Sequence, residues 1–372
     1  MVRDPREQAD AERYARLLVE ARAIRGVSLG RDAWRRLRRN RVAMTALLFL
    51  ATLSLAAALT PLLPFQPPRW DDTTRAFQPP AAWPIMAPTA KWIDDQGRVD
   101  LVARDIGYPK LGPINRGLLA ARAAIFGRWE FASLCGTDQL GRDLLSQLFW
   151  GARVSLMVGL VAALVSLVIG VSYGAVSGYV GGRVDNAMMR AVDVLYSIPF
   201  VFVVIFLITI LGEPSLKERL EDFGVNRITL FYIVVGAIYW LTMARVIRGQ
   251  IKSLKEEQFV EAARTIGASR SRIIFLHLVP NLLSIIIVYL TLTIPRVMLF
   301  EAFLSFLGLG VEPPDVSWGV LANEGVRAIT PIKVDWWLVV FPSLALAMTL
   351  FALNFLGDGL RDAFDPRLKN RG

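Results

Sequence analysis

Few side chains in this sequence are of the types that perform chemistry, and they lie far apart. Cys135 is the only cysteine and His277 the only histidine. A disulfide within the chain, a cysteine cluster and a histidine-rich metal site are therefore excluded. Asp138, Arg142 and Asp143 could form an acid–base site, but the sequence shows no nucleophile with a paired base. We interpret these three residues as orienting the segment that enters the membrane.

A nucleotide-binding loop is also missing from the sequence. The pattern G-x-x-x-x-G-K-[ST], which cradles phosphates, does not occur, and neither does any Gly-Lys pair. We therefore expect no bound cofactor, no metal and no ATPase site in this chain. If ATP drives its activity, another chain binds that ATP.

Two ionisable residues stand inside a long apolar run. They are Arg296, which follows Pro295, and Glu301. A charge inside a membrane span costs at least about 2.5 kcal/mol on insertion scales. Five positions apart on a helix, the two are poorly placed to pair with each other, so each should face a cavity or another helix. They either line a translocation path or make contacts inside the bundle, and the sequence leaves both open.

The elements that must position these residues are membrane spans. Of the 372 residues 54% are hydrophobic and 20% are charged, and the charges cluster between long apolar runs. The runs are continuous, which argues against a β-barrel. We predict an all-α membrane protein with six transmembrane helices. They are expected at about Val42–Leu63, Val154–Val176, Ala191–Leu211, Ile228–Ala244, Leu282–Phe306 and Trp336–Leu356.

The Lys and Arg residues beside the spans set the expected orientation. The net charge of +10 is explained by these flanking bases, so we expect no nucleic-acid partner. Residues 1–41 are rich in Arg and have no apolar core, so they form a cytoplasmic basic segment and not a cleaved signal. Six spans return residues 361–372 to the cytoplasm as a tail. The same alternation makes residues 64–151 an external insertion with an amphipathic lead-in, and places loop 249–281 inside.

That cytoplasmic loop is predicted to be a helix, a turn and a second helix. Good helix formers fill residues 255–265. The following side chains are expected near one face of this helix: Phe259, Ala262, Ala263 and Ile266. Gly267 should stop it, and Pro280 should break the second helix before the next span. The loop is either a rigid lever that receives force from a soluble partner or an ordinary basic connection.

A stripe of glycines marks the second span. Gly170, Gly174, Gly178 and Gly182 recur every four residues. Such a stripe lets the backbone of another helix approach closely. We predict that it is a helix-packing surface.

The cytoplasmic loop resembles the signature loop of the permease subunits of ATP-binding-cassette (ABC) importers. The likeness rests on Glu261, Ala262, Ala263, Gly267, His277, Pro280 and Asn281. In that family the loop forms a coupling helix that docks into a groove on the ATPase subunit. The resemblance therefore implies that this loop is the ATPase-coupling site.

Further stretches resemble the permeases for dipeptides, oligopeptides and nickel, of the second-permease type. These stretches are residues 136–156, 301–310, 313–319 and 357–368. The resemblance implies an importer-permease core of spans two to six within residues 152–360, preceded by an extra N-terminal span at residues 42–63. Two features depart from the family pattern. Gln147 stands where these permeases often have Arg, and the external insertion is longer than usual.

The resemblance also implies partners and a location. We expect a multi-pass protein of the bacterial inner membrane, in contact with lipid. Its partners would be a second homologous permease, two ATPase subunits and an external substrate-binding protein. Peptides are the expected cargo, with nickel or another small solute as the alternative. An ion-coupled secondary transporter would need coupling carboxylates at mid-membrane and inverted repeats, which the sequence does not show.

Overall fold

Long helices dominate the structure, a computed structural model that describes residues 29–94, 99–108, 111–211, 213, 215–216, 219, 227–311 and 315–364. Five of the described helical segments are long and apolar enough to cross a membrane, and a sharply bent helix pair supplies a sixth span. The prediction of six spans in an all-α membrane protein is confirmed. A pair of two-residue antiparallel strands, β1 (Met86–Ala87) and β2 (Glu130–Phe131), adds to the helices.

The helices are numbered in chain order. They are α1 (Leu29–Arg39), α2 (Arg41–Ala58), α3 (Leu101–Gly107), α4 (Pro113–Phe126), α5 (Leu144–Val165), α6 (Val171–Val180), α7 (Gly182–Ser197), α8 (Phe200–Leu211), α9 (Arg227–Leu254), α10 (Gln258–Thr265), α11 (Arg270–Arg272), α12 (Val279–Asn281), α13 (Leu283–Phe306), α14 (Trp318–Arg327) and α15 (Trp337–Phe364). A 3-10 turn occupies Thr73–Arg75, and π-helical turns occupy Ser166–Gly170 and Ile273–Leu278.

Three of the spans extend beyond the apolar runs that predicted them, whereas α2, predicted at Val42–Leu63, already ends at Ala58. α5 and α6, joined by their π-helical turn, form one span of 37 residues from Leu144 to Val180. The Asp143 side chain begins it by accepting a hydrogen bond from the backbone N–H of Ser146 at 2.8 Å. α9 continues past the predicted Ala244 to Leu254. Hydropathy marks the apolar part of a helix, whereas the hydrogen-bonded helix continues through its charged ends.

The predicted third span, Ala191–Leu211, is wrong as a single straight helix. α7 and α8 meet at an angle of 81°. Pro199 lies at the break, and Ile198 before it has the extended backbone (ψ 124°) that a following proline favours. The short break lets α7 fold across one end of the bundle while α8 continues into it.

The bundle has two distinct ends. The loop end carries α10 to α12, where Ile251, Val260 and Ile274 share one buried cluster with Ala175 of α6. The insertion end carries α14 and the described residues between 64 and 143. α1 lies at the loop end, separated from α2 by Asn40 alone and packed on the last turns of α15.

The insertion is compactly folded in its described part. Trp92, Tyr108 and Leu119 form its core with Trp150 of α5. The Arg122 guanidinium lies over the Trp92 ring, 4.6 Å from its centroid. This core is large enough to fold α3, α4 and the strand pair against the start of α5.

Candidate functional site

α10 at the loop end stops at a glycine, as predicted. Gly267 has φ +79°, a left-handed conformation that costs glycine nothing. Its N–H donates to the Arg264 carbonyl at 2.9 Å, and the Ala268 N–H donates to the Ala263 carbonyl at 3.0 Å. These two bonds form a Schellman motif, which ends the helix at a defined residue. The turn therefore holds α10 at a fixed angle to α11.

The face of α10 that packs against the bundle differs from the predicted one. Val260 and Ala263 are buried against α6, α9 and the π-helical turn. Phe259 is 39% exposed, Ile266 is 85% exposed and Ala262 is also exposed. The prediction of one face for Phe259, Ala262, Ala263 and Ile266 is thus wrong for Ala263. The helix has two apolar sides, and the i, i+3, i+7 positions form the outward one.

The second half of the loop is more continuous than predicted. Helical turns run from Arg270 through Asn281, and the break falls at Leu282 and not at Pro280. Pro280 has no N–H and its ring crowds the carbonyl four residues earlier. The π-helical turn just before it, with a bond from Val279 N–H to the Ile274 carbonyl, relieves this conflict. Asn281 donates its side-chain amide to the His277 carbonyl at 2.6 Å.

The outward surface of the loop holds the remaining candidate residues. Glu261, Pro280 and Asn281 are exposed, and His277 is half-buried. Within the described residues, no Lys, Arg or His side chain forms an ion pair with the Glu261 carboxylate. The loop thus presents an apolar stripe and a free carboxylate on a braced helix.

Three of the four predicted packing glycines contact α9. A Cβ on Gly174 would lie 2.3 Å from the Ala244 carbonyl oxygen, and one on Gly178 would lie 2.7 Å from the Arg248 carbonyl oxygen. Gly170 is equally close to α9. The packing prediction is confirmed for these three. It is wrong for Gly182, which has open space around it and φ +58°, because the helix ends at Val180 and Gly182 begins α7.

Sequence reasoning missed a buried carboxylate beside this packing surface. Asp185 of α7 accepts hydrogen bonds from Arg248 of α9 at 2.5 and 2.8 Å and from Ser177 of α6 at 2.6 Å. Lys252 pairs with the same carboxylate at 2.6 Å. This Asp185 cluster joins three helices at the loop end. The sequence does not show which helix Asp185 meets, since the turn at Gly181 and Gly182, both at positive φ, is what directs the start of α7 toward α9.

Arg296 and Glu301 occupy different environments on α13. Arg296 is exposed and borders a small cavity with Tyr239, Thr242 and Thr293. Glu301 is fully buried at the insertion end. The residues do not pair with each other, as the spacing predicts.

Glu301 makes contacts inside the chain. Its carboxylate accepts hydrogen bonds from Ser305 and Ser317, each at 2.7 Å, and from Ser155 at 3.4 Å. Ser317 is also the N-cap of α14. Glu301 therefore fastens α14 to α13 and α5. This placement favours the contact interpretation of Glu301 over a path-lining role.

Acidic and basic residues at the insertion end orient the start of α5, in agreement with the sequence interpretation. The Arg142 Nε donates to Asp138 at 2.7 Å, and its Nη2 donates to Glu324 of α14 at 3.4 Å. Gln147, where a family arginine is expected, donates to Asp138 at 2.8 Å. Burial raises the pKa of Asp143 to about 7. These contacts are structural and bring no nucleophile to the group.

A family model described as the binding-protein-dependent transport system inner membrane component matches residues 170–370. That match covers more than half of the chain, including the loop, the Asp185 cluster and Arg296. This chain belongs to the binding-protein-dependent transport permeases. A second family model, the N-terminal transmembrane domain of oligopeptide transport permease C, matches residues 28–80 of the permease.

Curated relatives extend the likeness over nearly the whole permease. It is 40% identical to the oligopeptide transport system permease protein OppC of Escherichia coli K12, over 92% of this chain and 93% of the relative. It is 37% identical to the dipeptide transport system permease protein DppC of Bacillus subtilis, over 94% of this chain and 90% of the relative. Among solved structures, the inward-facing MetNI methionine ABC transporter aligns with a TM-score of 0.45 at 15% identity, over 58% of this chain and 94% of that chain.

The site thus lies within the part of the permease that the larger family model matches. Residues 81–169 fall between the two matched ranges. They include most of the folded insertion and all of α5. The loop from α10 to α12 lies wholly within the larger matched range, whereas the insertion end lies only partly within it.

Proposed function

We propose that this permease and a second homologous permease form the membrane path of an ABC importer for peptides in the bacterial inner membrane. Two separate ATPase subunits bind the ATP, and a substrate-binding protein delivers the peptide from outside. The permease itself binds no nucleotide or other cofactor. Its relatives are named as oligopeptide and dipeptide permeases, which supports peptides over nickel or another small solute as cargo.

The geometry of α10 carries this proposal. Val260 and Ala263 fix the helix to the bundle, while Phe259, Ala262 and Ile266 face outward. A helix with an apolar stripe at positions i, i+3 and i+7 is suited to lie in a groove of a partner. The free carboxylate of Glu261 adds a charged contact at the edge of that stripe. The partner of this surface in the proposed complex is an ATPase subunit.

Force applied to α10 would reach the spans through short, rigid connections. α10 shares its buried cluster with α6 and α9, and α12 leads directly into α13. His277, Pro280 and Asn281 belong to this second connection, where the Asn281 side chain bonds to the carbonyl of His277. Movement of the ATPase subunits would thus shift the spans as rigid bodies, which is how alternating access is achieved in transporters generally.

The membrane orientation follows from where the bases lie. α1, α10 and the end of α15 are all at the loop end of the bundle. The arginine-rich segment and the basic loop therefore share one side, which the positive-inside rule assigns to the cytoplasm. Both termini are cytoplasmic in this arrangement, and the insertion is external.

Arg296 lies on the path between the two permeases.

Co-purification tests the coupling surface. We expect Ile266→Arg to reduce the amount of ATPase subunit that co-purifies by about tenfold, because a charge in the stripe would be desolvated without a partner. Peptide uptake should fall in parallel. Ile332→Arg is the matched control, since Ile332 is 98% exposed at the insertion end and should leave co-purification unchanged. Normal co-purification and uptake in Ile266→Arg would contradict the proposal.

A further inference from the structure

Arg296 lies near the middle of a spanning helix but on an open surface. It is about 20 Å along α13 from Leu283 and about 15 Å from Phe306, at 1.5 Å of helix rise per residue. Its side chain is exposed and borders a cavity of about 70 Å³. The cavity is lined largely by hydroxyl-bearing side chains from α9 and α13: Tyr239, Thr242, Tyr289 and Thr293.

A larger cavity adjoins this one at the bend between α7 and α8. It has a volume of about 360 Å³ and shares Tyr239 and Thr242 with the smaller cavity. Tyr196 also lines it, and its hydroxyl is 2.5 Å from that of Thr242. Apart from apolar residues such as Leu195, Ile198 and Phe200, the lining between Arg296 and the bend carries the hydroxyl groups of Tyr239, Thr242 and Tyr196. Such groups can both donate and accept hydrogen bonds, so they suit a polar chain that must shed water.

Two arginines lie near these cavities, Arg245 and Arg296, and they differ in whether a carboxylate pairs with them. Arg245, one helical turn from Thr242, pairs with Asp193 at 2.7 Å and lies over the Tyr196 ring. Within the part of the chain that the structure describes, no carboxylate lies within ion-pair distance of Arg296. A cation at this depth requires an anion or a water-filled cavity. An anion that neutralises Arg296 would therefore come from outside the described part of this chain.

We propose that Arg296 binds the C-terminal carboxylate of a peptide as it crosses the membrane, while the hydroxyl surface accommodates the peptide backbone. This inference rests on the proposed function, and names what its path recognises. An unmodified linear peptide has an ionised C-terminal carboxylate whatever its side chains. A guanidinium binds a carboxylate through two parallel hydrogen bonds. One arginine among neutral hydroxyls holds that group weakly enough to release it, which transport requires.

Uptake of matched peptides tests the proposal in the complete transporter, reconstituted with its partner permease, ATPase subunits and binding protein. Each peptide is used with a free C-terminus and as a C-terminal amide or methyl ester that the binding protein still holds. The wild-type rate is divided by the variant rate for each peptide, so the preference of the binding protein cancels. We expect a ratio of about ten for the free acid and about one for the neutral form in Arg296→Gln. Arg296→Lys should give an intermediate ratio for the acid.

A second measurement reports the charge of the site without a peptide. Cys135 is the only cysteine, so Cys135→Ser with Thr293→Cys gives a single thiol beside Arg296. An anionic thiol reagent should label this thiol faster than a cationic one of similar size. Adding Arg296→Gln should remove most of that preference, and a free-acid peptide, delivered by the binding protein, should slow the labelling.

The outcomes separate this inference from the proposed function. Equal ratios for acid and neutral peptides overturn the role of Arg296, even while ATP-driven uptake shows that the chain is a peptide permease. Failure of Arg296→Gln to assemble with the second permease would overturn it too, because Arg296 would then pair with a carboxylate of that subunit. Absence of any peptide uptake by the wild-type complex would contradict the proposed function itself.

Discussion

Asp185 of α7 holds Arg248 of α9 through two parallel hydrogen bonds, Nε to Oδ1 at 2.5 Å and Nη2 to Oδ2 at 2.8 Å. The carboxylate is buried, and Lys252 lies 2.6 Å from the same Oδ2. A planar guanidinium matched to a carboxylate in this way defines an orientation as well as a distance. The pair therefore sets how α7 crosses α9 at Arg248, whose backbone carbonyl also faces Gly178.

Asp185→Asn should destabilise the permease by about 2 kcal/mol. The variant loses a charge-assisted bidentate contact and leaves two cations close together, and hydrogen bonds to charged groups are worth about 1.5–3 kcal/mol. The thermal midpoint of the purified protein in detergent measures the effect. Asp193→Asn removes a carboxylate from the exposed pair with Arg245 and should cost less than about 1 kcal/mol. Equal losses in both variants would contradict the structural role of Asp185.

Gly174→Ala should disturb the packing of α6 on α9. The added Cβ would lie 2.3 Å from the Ala244 carbonyl oxygen, so the helices must separate. Overpacking of this kind costs about 1–3 kcal/mol. Gly249→Ala on the outer side of α9 has no atom within 4 Å of its new Cβ and should be neutral or slightly stabilising. Thermal melting of both variants decides this, and a neutral Gly174→Ala would show that the contact is loose.

The start of α5 should lose stability as pH rises. Burial raises the pKa of Asp143 from 3.8 to about 7. The folded state therefore holds this proton more tightly than the unfolded state, so the stabilisation is complete below about pH 4 and is lost as the pH approaches 7. Asp143→Asn keeps an acceptor for the helix N-terminus but cannot titrate. We expect the difference in thermal midpoint between wild type and variant to change across this window.

A control for this titration is Asp100→Asn, which changes the exposed N-cap of α3. The same melting experiment on this variant, between pH 5 and pH 7, shows the pH dependence that comes from changing an exposed helix cap. A pH-independent difference for Asp143→Asn would contradict the assignment of a raised pKa to that carboxyl.

Arg122→Met should loosen the insertion more than it affects the bundle. Arg122 and Glu130 form a fully buried pair at 2.9 Å. Burial raises the pKa of Glu130 and the Arg122 charge opposes this. Removing one partner of a buried pair costs about 3–5 kcal/mol because the other charge is left unpaired. Hydrogen exchange in α4 and β2 measures the effect.

The double variant Arg122→Met with Glu130→Gln provides the control. It removes both charges, so it should recover part of the protection lost in the single variant. A double variant that exchanges faster than Arg122→Met alone would show that the ion pair is not what holds the insertion together.

The loop site was largely predictable from sequence because its signals are local. Gly267 stops a helix wherever that helix occurs, and Pro280 disturbs the turn before it through its own missing N–H. The direction of α10 was not predictable. Val260 and Phe259 are adjacent apolar residues, and only the packing of α6 and α9 determines that Val260 is buried and Phe259 is not.

The number of spans, the family resemblance and three of the four glycine contacts could be predicted from the sequence. Each of these predictions rests on a signal within one stretch of sequence: a long apolar run, the loop motif, or a glycine every four residues. Such local signals can be identified without knowing which helices pack together. Only the tertiary structure shows the bend at Pro199, the partners of Asp185, and that Arg296 is exposed while Glu301 is buried. Each of these depends on which helices meet, and residues of one helix such as Arg296 and Glu301 differ only in the neighbours that the fold brings to them.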